Sequence, residues 1–403
     1  MRKVYVIGTC DTKGDELRFA CDCVRRAGAR PVLVDVSTAA PDKTADVMAE
    51  TVADHHPKGR AAVLGHTDRG QAVSAMAEAL KHYLLSRNNV GAVLGLGGGG
   101  NTAIVTEAMR ALPVGVPKVM VSTLASGNVA VFVGPSDIMM MHAVTDIAGL
   151  NSISRVVIGN AAHAVAGMAL TRVPKSRKPN RAFGYTMFGV TTACVDAIRR
   201  RLDPACESFV FHATGTGGQS FEKLAESGFF DGVFDITTTE VADYLVGGVL
   251  PCTADRFGAM TRNPVPYVGS VGACDMVNFG ARETVPSRFV SRKFHVHNAY
   301  VTLMRTTPEE NAEIGAFIVS RLNRMAGPVR FLLPLRGVSA IDATGQPFHD
   351  LAADAALFEA IRKGWKPAKN RKLVELDLHI NDPAFAEAAV AAFTDMSRRH
   401  RNK

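Results

Sequence analysis

Short apolar runs alternate along this chain with stretches of helical periodicity. In the first half the apolar runs are bounded by polar turns, and they lie at 4–8, 32–35, 90–96 and 118–122. Helical patterns fill the intervals, for example at 15–27 and 69–87. Strand, polar turn and helix in this order are typical of β-α-β units, so the pattern predicts a doubly wound sheet of parallel strands.

The second half begins the same pattern again. Strands are predicted at 182–188 and 209–212 with a helix between them, and a glycine-rich turn follows. Between the halves, residues 174–180 carry prolines and charges without periodicity, which predicts a linker. The predicted fold is therefore α/β, with two Rossmann-like domains (1–173 and 181–403) built from mainly parallel sheets and flanking helices.

The apolar run at 90–96 ends in a glycine-rich loop that opens a helix, and this loop is the main candidate for a ligand site. Its residues are Gly97, Gly98, Gly99, Gly100, Asn101 and Thr102. Glycines let backbone N–H groups approach an anion, and the following helix adds unpaired amides and the positive end of its dipole. The loop lacks the ending of a Walker loop and the spacing of a dinucleotide fingerprint. A tight strand-to-helix turn of any α/β domain also explains it.

Two further polar turns are expected at the same edge, because ligands of open α/β sheets bind at the carboxyl ends of the strands. The turn after the first strand contributes Thr12 and Lys13, which would offer a hydroxyl and a positive charge to a phosphate. The turn at 122–128 contributes Thr123 and Ser126. For the first turn, a helix cap followed by a solvated lysine is the alternative.

The second half holds another group of candidates, which we assign to a substrate. Its glycine-rich turn is similar in layout to the loop at 97–100 and suggests two similar halves with glycine loops in corresponding positions. The candidates are Gly215, Gly217, Gly218, Gln219, Glu240, Asp275, Asn278 and Arg305. They are expected in turns or at element ends, facing a small anionic substrate in a cleft between the domains. For Glu240, a capping box at the start of its helix is the alternative.

Composition narrows the possible functions. No apolar run reaches the roughly 18 residues of a membrane span, so a cytoplasmic globular protein is expected and a membrane partner is not. The formal net charge of +8 suits a polyanionic small ligand, and the lack of a recognised nucleic-acid motif argues against a nucleic-acid partner. Seven cysteines without a C-x-x-C pair predict neither a disulfide framework nor a structural zinc site. No pattern identifies catalytic groups or protein metal ligands.

Ten stretches of the chain together resemble one protein family. They are GTCDTKGDEL, GLGGGGNT, FVGPSDI, HAVTDIAGLNSISRVVIGNAAHAVAGM, MFGVTT, HATGTGGQ, DITTTEVAD, DMVNFG, LMRTTPEENAEIG and LLPLRGVSAID. The family is an uncharacterised group of microbial proteins similar to the ATP-binding N-terminal half of the tomato mosaic virus resistance protein. The resemblance runs from end to end and implies a two-domain, Rossmann-like homodimer that binds ATP with Mg²⁺ through the loop at 95–102. The microbial members have no established reaction, and we do not transfer the antiviral action of the plant protein.

Two hypotheses about function follow. In the first, the chain is an enzyme that uses ATP to activate or phosphorylate a small anionic metabolite, with Mg²⁺ held mainly by phosphate oxygens and water. In the second, the chain is a non-catalytic protein in which ATP orders a surface or the dimer, and a macromolecule is the target. A further possibility is that the glycine loop binds another phosphorylated ligand. The many polar turns of the second half favour the enzyme.

Overall fold

A computed structural model describes residues 2–39, 43–171, 173, 181–202 and 206–401, of which 398–401 are described by their backbone. The chain divides into two compact units, Met1–Ser176 and Arg177–Lys403. The predicted linker at 174–180 lies outside the described residues.

The first unit is a five-stranded parallel sheet with helices on both faces. Its strands are β1 (Lys3–Gly8), β2 (Pro31–Asp35), β3 (Val90–Gly97), β4 (Lys118–Ser122) and β5 (Ile138–His142). Its helices are α1 (Cys10–Arg26), α2 (Ala49–Ala53), α3 (Ala61–Leu64), α4 (Arg69–Leu85), α5 (Gly99–Ala111), α6 (Ala130–Val133) and α7 (Ser152–Leu170). The strand order is β2-β1-β3-β4-β5, with every pairing parallel.

Alternating side chains of the first sheet feed two separate cores, because successive residues of a strand point to opposite faces. On β1, Val4 and Val6 belong to the core that includes α1 and α7, whereas Tyr5 and Ile7 belong to the core that includes α4 and α5. By length and composition α7 is the one helix among the described residues that would be able to span a membrane. Its buried face packs on α1 and on strands of the sheet, so here it is a helix of the core.

The second unit contains two sheets. Its strands are β6 (Arg181–Met187), β7 (Cys206–His212), β8 (Gly232–Thr237), β9 (Tyr267–Gly272), β10 (Met276–Phe279), β11 (Phe294–Asn298), β12 (Val301–Arg305), β13 (Val329–Pro334) and β14 (Arg371–Leu376). Its helices are α8 (Thr192–Arg201), α9 (Thr216–Glu226), α10 (Thr239–Val246), α11 (Gly258–Arg262), α12 (Pro308–Leu322), α13 (Leu351–Gly364) and α14 (Pro383–Arg401). The larger sheet is parallel, in the order β14-β13-β9-β8-β6-β7, and the smaller is antiparallel, in the order β10-β12-β11.

Both parallel sheets reverse their direction of winding at the first strand. β1 lies between β2 and β3, and β6 lies between β7 and β8, after which each sheet grows on one side. Such a reversal leaves a crevice at the carboxyl ends of the two strands where the order changes. In the first unit the crevice lies between the turn at 9–13 and the loop at 97–101, and in the second between 188–191 and 237–240. The predicted fold class is confirmed.

Two details of the prediction are wrong. The second glycine-rich turn follows the edge strand β7, whereas the loop at 97–100 follows β3, so the two glycine loops do not correspond. The strand that corresponds to β3 is β8, which ends at Thr237. The sequence predicts a turn at 272–280 that holds Asp275 and Asn278, but residues 276–279 of that stretch form the buried strand β10. They are strand because they pair with β12, a partner that local sequence does not reveal.

Candidate functional site

A cavity of about 610 Å³ opens at the crevice of the first unit, a volume in the range of small-molecule sites. Its wall consists of Thr9, Asp11, Thr12, Lys13, Thr38, Ala39, His66, Thr67, Arg69, Ala72, Val73, Gly98, Gly99, Gly100, Asn101 and Ile104. This wall includes the predicted residues Thr12, Lys13, Gly98, Gly99, Gly100 and Asn101. It does not include Gly97, Thr102, Thr123 or Ser126.

The N-terminus of α5 offers unpaired backbone amides at this cavity. Gly98 is the N-cap and contributes no side chain, and the Thr102 N–H donates to the Gly98 carbonyl at 2.9 Å. The N–H groups of Gly99, Gly100 and Asn101 have no acceptor within the described residues. Three such donors at the positive end of a helix dipole form a favourable environment for an anion.

The glycines of this loop lack a side chain for different reasons. At Gly97 an added Cβ would lie 2.6 Å from the Cβ of Asn101, so packing requires this glycine. At Gly99 and Gly100 the nearest atoms would lie 3.4 and 3.7 Å from an added Cβ, which is ordinary contact. Gly99 and Gly100 therefore have room for a side chain, whereas packing against Asn101 requires a glycine at 97.

Asn101 and Thr102 are buried and hold the loop in place. Asn101 Nδ2 donates to the Leu96 carbonyl, and Asn101 Oδ1 has no hydrogen-bond partner among the described residues. The Thr102 hydroxyl donates to the Gly98 carbonyl at 2.8 Å and lies 2.7 Å from the Ser122 hydroxyl. The structure thus gives Thr102 a positioning role in place of the predicted phosphate contact, because its polar groups are already used.

In the turn after β1 the N–H groups of residues 10–13 are all hydrogen-bonded within the protein, in contrast to those at the start of α5. The Cys10 N–H donates to Asp35 Oδ1 at 3.0 Å, and the Asp11 N–H donates to Ser37 Oγ at 3.2 Å. The next two N–H groups both donate to the Thr9 carbonyl. This turn therefore contributes to the cavity through its side chains.

Thr12 and Lys13 are the predicted residues of that turn, and both lie in the cavity wall. The Thr12 hydroxyl is 2.9 Å from the hydroxyl of Thr9. Lys13 departs from helical geometry (φ −138°, ψ 26°), and its ammonium donates to the Ile147 carbonyl at 2.7 Å. An ammonium has three N–H donors, so two of them remain for a ligand.

Arg69 is a cation of the cavity wall that the sequence analysis missed. It is the first residue of α4, whose N-cap Asp68 accepts a hydrogen bond from the Gln71 N–H at 2.8 Å. Its guanidinium forms no hydrogen bond or ion pair with the described part of the chain, and its Nη2 lies 4.0 Å from where a Cβ on Gly100 would stand. The sequence gives no signal for this proximity, because it depends on the packing of α4 against α5.

Thr123 and Ser126 follow β4 and lie outside the cavity wall. The Thr123 N–H donates to the Gly97 carbonyl at 3.4 Å, and the Thr123 hydroxyl would be 3.7 Å from a Cβ on Gly98. Ser126 is an exposed residue of the same turn. Thr123 is therefore next to the glycine loop, whereas Ser126 serves as part of the surface.

The corresponding crevice of the second unit is closed by hydrogen bonds. The hydroxyls of Thr191 and Thr237 lie 2.8 Å apart, and both residues are fully buried. The Val190 carbonyl accepts from the Ala340 N–H and from Asn381 Nδ2, each at 2.9 Å. Segments that follow β13 and β14 thus occupy the place where a ligand would enter.

The second glycine-rich turn packs tightly against the protein. The Gly215 N–H donates to Glu240 Oε2 at 2.8 Å, and Gly215 has a φ of +73°, which favours glycine. A Cβ on Gly217 would lie 1.8 Å from the carbonyl oxygen at the end of β7, and one on Gly218 would lie 2.1 Å from Glu240 Oε1. Gln219 is half-buried, and its N–H donates to the Gly215 carbonyl. Gly215, Gly217 and Gly218 are therefore required for packing inside the protein, whereas the sequence predicts that they contact a substrate.

Glu240 belongs to a buried cluster of three carboxylates around one guanidinium. Arg256 donates to Glu240 at 2.5 Å, to Asp235 at 2.7 Å and to Glu222 at 3.2 Å, and Asp235 also accepts from the Tyr267 hydroxyl. Burial raises the pKa of Glu222 to about 7 and also raises the pKa of Glu240. The predicted substrate role of Glu240 is thus replaced by an internal ion pair.

Arg305 and Asp275 belong to a second buried cluster. Arg305 Nη2 donates to Asp354 Oδ1 at 2.7 Å and to Asp342 Oδ1 at 3.3 Å, and Asp275 Oδ2 accepts from the Ser339 hydroxyl at 2.8 Å. Burial raises the pKa of Asp342 to about 9 and that of Asp275 to about 6. Both predicted residues therefore hold the interior together and are shielded from a substrate.

Asn278, the remaining substrate candidate, is a buried residue of β10. Its N–H and its Nδ2 both donate to Asp243 Oδ1, at 2.8 and 3.1 Å. Burial raises the pKa of Asp243 to about 6. Asn278 thus ties β10 to α10.

Among the described residues, no group of three or more His, Cys, Asp or Glu side chains is able to hold a metal ion.

Two family comparisons cover the chain. The domain described as Uncharacterised protein family (UPF0261) N-terminal domain matches residues 2–174, and the UPF0261 C-terminal domain matches residues 180–397.

Relatives that match nearly the whole of this chain agree with these matches. A UPF0261 protein of Rhizobium meliloti is 57% identical over 98% of this chain and 100% of its own length. A UPF0261 protein of Clostridium tetani is 41% identical over 99% of this chain and 100% of its own. The ToMV resistance protein Tm-1(GCR237) of Solanum lycopersicum is 42% identical over 99% of this chain, which spans 56% of the plant protein.

Proposed function

The chain belongs to the uncharacterised protein family UPF0261, and we propose that its first unit binds ATP with Mg²⁺ in the cavity between the ends of β1 and β3. The observation that carries this proposal is the set of unpaired N–H groups of Gly99, Gly100 and Asn101 beside that cavity. Polar backbone groups in proteins are nearly always hydrogen-bonded, so neighbouring free donors favour acceptors from outside. Phosphate oxygens are acceptors of the right kind.

The charges of the cavity wall support an anionic ligand. Lys13 and Arg69 both line the cavity, and the guanidinium of Arg69 is free to make a two-pronged contact with a phosphate. Asp11 is the carboxylate of this wall. Mg²⁺ prefers phosphate oxygens, water and one or two carboxylates, so Asp11 is the residue that would complete its shell.

Asp35 argues against a dinucleotide as the ligand. In dinucleotide-binding folds an acidic residue after the second strand binds the ribose hydroxyls. Asp35 occupies that position, but it is fully buried and its Oδ1 accepts from the Cys10 N–H, the Ser37 N–H and the Ser37 hydroxyl. A nucleotide held through its phosphates agrees better with this arrangement.

The state of the second unit favours a binding protein over an enzyme. The residues predicted there for a small anionic substrate are engaged inside the protein, as Glu240 and Arg305 are in buried ion clusters and Asn278 is with Asp243. We therefore propose a protein whose ATP binding controls its contact with a macromolecule. An ATP-dependent enzyme acting on a small anionic metabolite is the alternative.

Two further expectations accompany the proposal. The resemblance to the family implies a homodimer, and the composition suggests a cytoplasmic location. Size-exclusion chromatography with light scattering, with and without ATP and Mg²⁺, tests the first. A single mass of about 43 kDa under both conditions would contradict the dimer.

Calorimetric titration of the full chain with ATP and Mg²⁺ tests the site, using Gly99→Pro and Gly99→Ala as a matched pair. Gly99 is the first helical residue, where proline fits the backbone but lacks an N–H and alanine keeps one. We expect Gly99→Pro to weaken ATP binding by about tenfold or more, because a charge-assisted hydrogen bond is lost, and Gly99→Ala to weaken it far less.

The outcomes separate the hypotheses. Equal affinities of the two Gly99 variants would remove the amide contact from the proposal. Displacement of ATP by sugar phosphates with similar affinity would point to another phosphorylated ligand. Tight ATP binding without turnover, together with ATP-dependent binding of a protein partner, supports the binding protein. Steady ATP consumption with one member of a metabolite panel supports the enzyme.

A further inference from the structure

The second unit carries a groove that the proposed nucleotide site does not use. It lies where α12 and α13 end, has a volume of about 650 Å³, and is called the α12–α13 groove below. Small residues of the two helices form its floor, namely Ala316, Val319, Ala360 and Gly364. Its rim carries Arg324, Lys363 and Lys366. The groove therefore combines an apolar floor with a cationic rim.

A second, smaller cavity extends this positive region. It has a volume of about 80 Å³, shares Arg324 with the groove and adds Arg321 and Arg262. The charge of Arg262 is balanced by Glu226 and Asp255, at 2.5 and 2.7 Å. Arg321 donates to a backbone carbonyl and to a serine hydroxyl, so its charge is not balanced by an ion pair.

The rim cations are not needed to complete the helices. Basic side chains near a helix C-terminus often bind its last carbonyls. Here Asn323 Nδ2 donates to the Gly364 carbonyl at 2.8 Å, and Arg371 donates to the carbonyls of Asn323 and Met325 at 2.5 and 3.3 Å. The side chains of Arg324 and Lys366 form no hydrogen bond or ion pair with the described part of the chain. Their charges are available to a partner.

The shape of the groove favours a protein segment as its occupant. Ala316, Arg324 and Lys366 are all exposed, so a small molecule would remain largely in solvent, unlike the ligands of enclosed pockets. Proteins that bind single-stranded nucleic acid stack its bases on exposed aromatic side chains. Trp365, the lone tryptophan, is half-buried and packs on the core, so it does not offer such a ring. An apolar floor with a cationic rim complements an amphipathic helix that carries carboxylates.

We propose that the α12–α13 groove binds an acidic amphipathic helix of a partner protein. Apolar side chains of that helix rest on the floor, and its carboxylates pair with Arg321, Arg324 and Lys366. The inference is independent of ATP binding, because it uses residues of the second unit and none of the nucleotide cavity.

Fluorescence anisotropy of the full chain with a labelled synthetic peptide tests the proposal. The peptide carries leucines at helical spacing and glutamates at the other positions, and a scrambled peptide of equal composition is its control. We expect saturable binding that weakens with added salt. The double variant Arg324→Glu/Lys366→Glu should bind at least about tenfold more weakly, because two attractive charges become repulsive.

Two further variants test whether peptide binding depends on the groove itself or only on the net charge of the chain. Arg26→Glu/Arg200→Glu makes the same change in net charge at exposed positions outside the groove and should leave the affinity within about twofold of wild type. Ala316→Trp fills the floor without changing the charge and should weaken binding about tenfold. This second variant keeps the test valid if charge reversal unfolds the chain, which circular dichroism would reveal.

Three results would overturn the proposal. Equally tight binding of the scrambled and the amphipathic peptide would show that the floor is not used. Equal losses in the groove and control charge variants would show that only bulk charge matters. Tighter binding of an oligouridine RNA than of the peptide would assign the surface to nucleic acid.

Discussion

The two units wind their sheets in the same way but fill the resulting crevices differently. In the first unit the strand that follows the reversal runs into Gly98 and α5, leaving amides unpaired beside an open cavity. In the second, the corresponding strand ends in Thr237, which bonds Thr191 under segments that follow β13 and β14. The shared sheet topology therefore produces a crevice in each unit. Whether the polar groups of a crevice are already hydrogen-bonded within the protein decides whether it is a candidate ligand site.

Buried charge is the second contrast between the units. The second unit places two arginines among three carboxylates each inside its core, at Arg256 and Arg305. In the first unit the cavity cations Lys13 and Arg69 are not fully buried, and Arg69 forms no ion pair with the described residues. The buried charges around Arg256 and Arg305 thus stabilise the second unit, whereas the cavity cations Lys13 and Arg69 of the first unit remain able to bind. The predictions below test this division.

The largest effect is expected from Arg256→Met. The substitution leaves Glu240 and Asp235 buried without their cation, which should lower the free energy of unfolding by about 3–5 kcal/mol. Urea unfolding followed by circular dichroism measures the loss. Arg200→Met, at an exposed position, is the control and should change stability by less than about 0.5 kcal/mol. Similar stabilities of the two variants would contradict the stabilising role of the cluster.

A pair of glycine substitutions compares the two loops directly. Gly217→Ala brings a Cβ within 1.8 Å of a carbonyl oxygen and should destabilise by about 2–4 kcal/mol. Gly99→Ala meets no atom closer than 3.4 Å and should change stability by less than about 0.5 kcal/mol. Melting temperatures of the two variants measure the difference, and equal shifts would show that the loops are equally constrained.

The stability of the second unit should depend on pH through Glu222. Burial raises its pKa in the folded chain from 4.5 to about 7, so between these values the folded state holds a proton that the unfolded state has released. The contribution of Glu222 to stability should therefore fall as the pH rises through this window and then level off. Glu222→Gln cannot ionise and should remove about 2–3 kcal/mol of this fall.

Urea titrations of wild type and Glu222→Gln between pH 4.5 and 8 measure that slope. The other buried carboxylates remain in both proteins, so the difference between the curves reports Glu222 together with its electrostatic coupling to Asp235 and Glu240. Glu313→Gln, at an exposed position of α12, is the control for replacing a glutamate by glutamine. A slope that is the same in wild type and Glu222→Gln would contradict the elevated pKa.

The smallest effect is expected for Arg69→Ala, whose change is confined to the open cavity. Loss of the guanidinium beside Gly100 should weaken ATP binding by about 1–2 kcal/mol and AMP binding by less, because fewer phosphates reach it. Calorimetry with both nucleotides measures the ratio. Arg30→Ala, at an exposed position outside the cavity wall, is the control. Equal losses for ATP and AMP would place the phosphates elsewhere.

Most of the helices and strands that the sequence predicts correctly follow from local hydrophobic patterns. The strand Lys118–Ser122 and the helix Ser152–Leu170 begin and end where their hydrophobic patterns do. The start of α12 is also local, since Thr307 accepts from the Glu310 N–H in a capping box with proline at the first turn. The sheet β10-β12-β11 was missed because its pairings join residues distant in sequence. The family resemblance, carried by motifs along the whole chain, is confirmed.

The candidate site was predictable as far as it depends on one loop. The pattern of glycines at 97–100 identifies the start of α5 correctly as a source of amides, since these are neighbours in sequence. Arg69 was missed because it reaches the cavity through the packing of α4 on α5. For Glu240 and Arg305 the sequence shows the charge but not the burial or the partners that neutralise it, because both depend on tertiary packing. ATP binding itself stays a prediction.

The bond from Lys13 to Ile147 has a consequence for the segment at 143–151. That segment is held to α1 at a second point, where the Gly149 N–H donates to Glu16 at 2.6 Å. Filling the cavity and releasing the segment are therefore linked equilibria whenever an incoming anion draws the Lys13 ammonium away from Ile147. This single lysine thus joins the cavity wall to a segment that lies 134 positions further along the polypeptide.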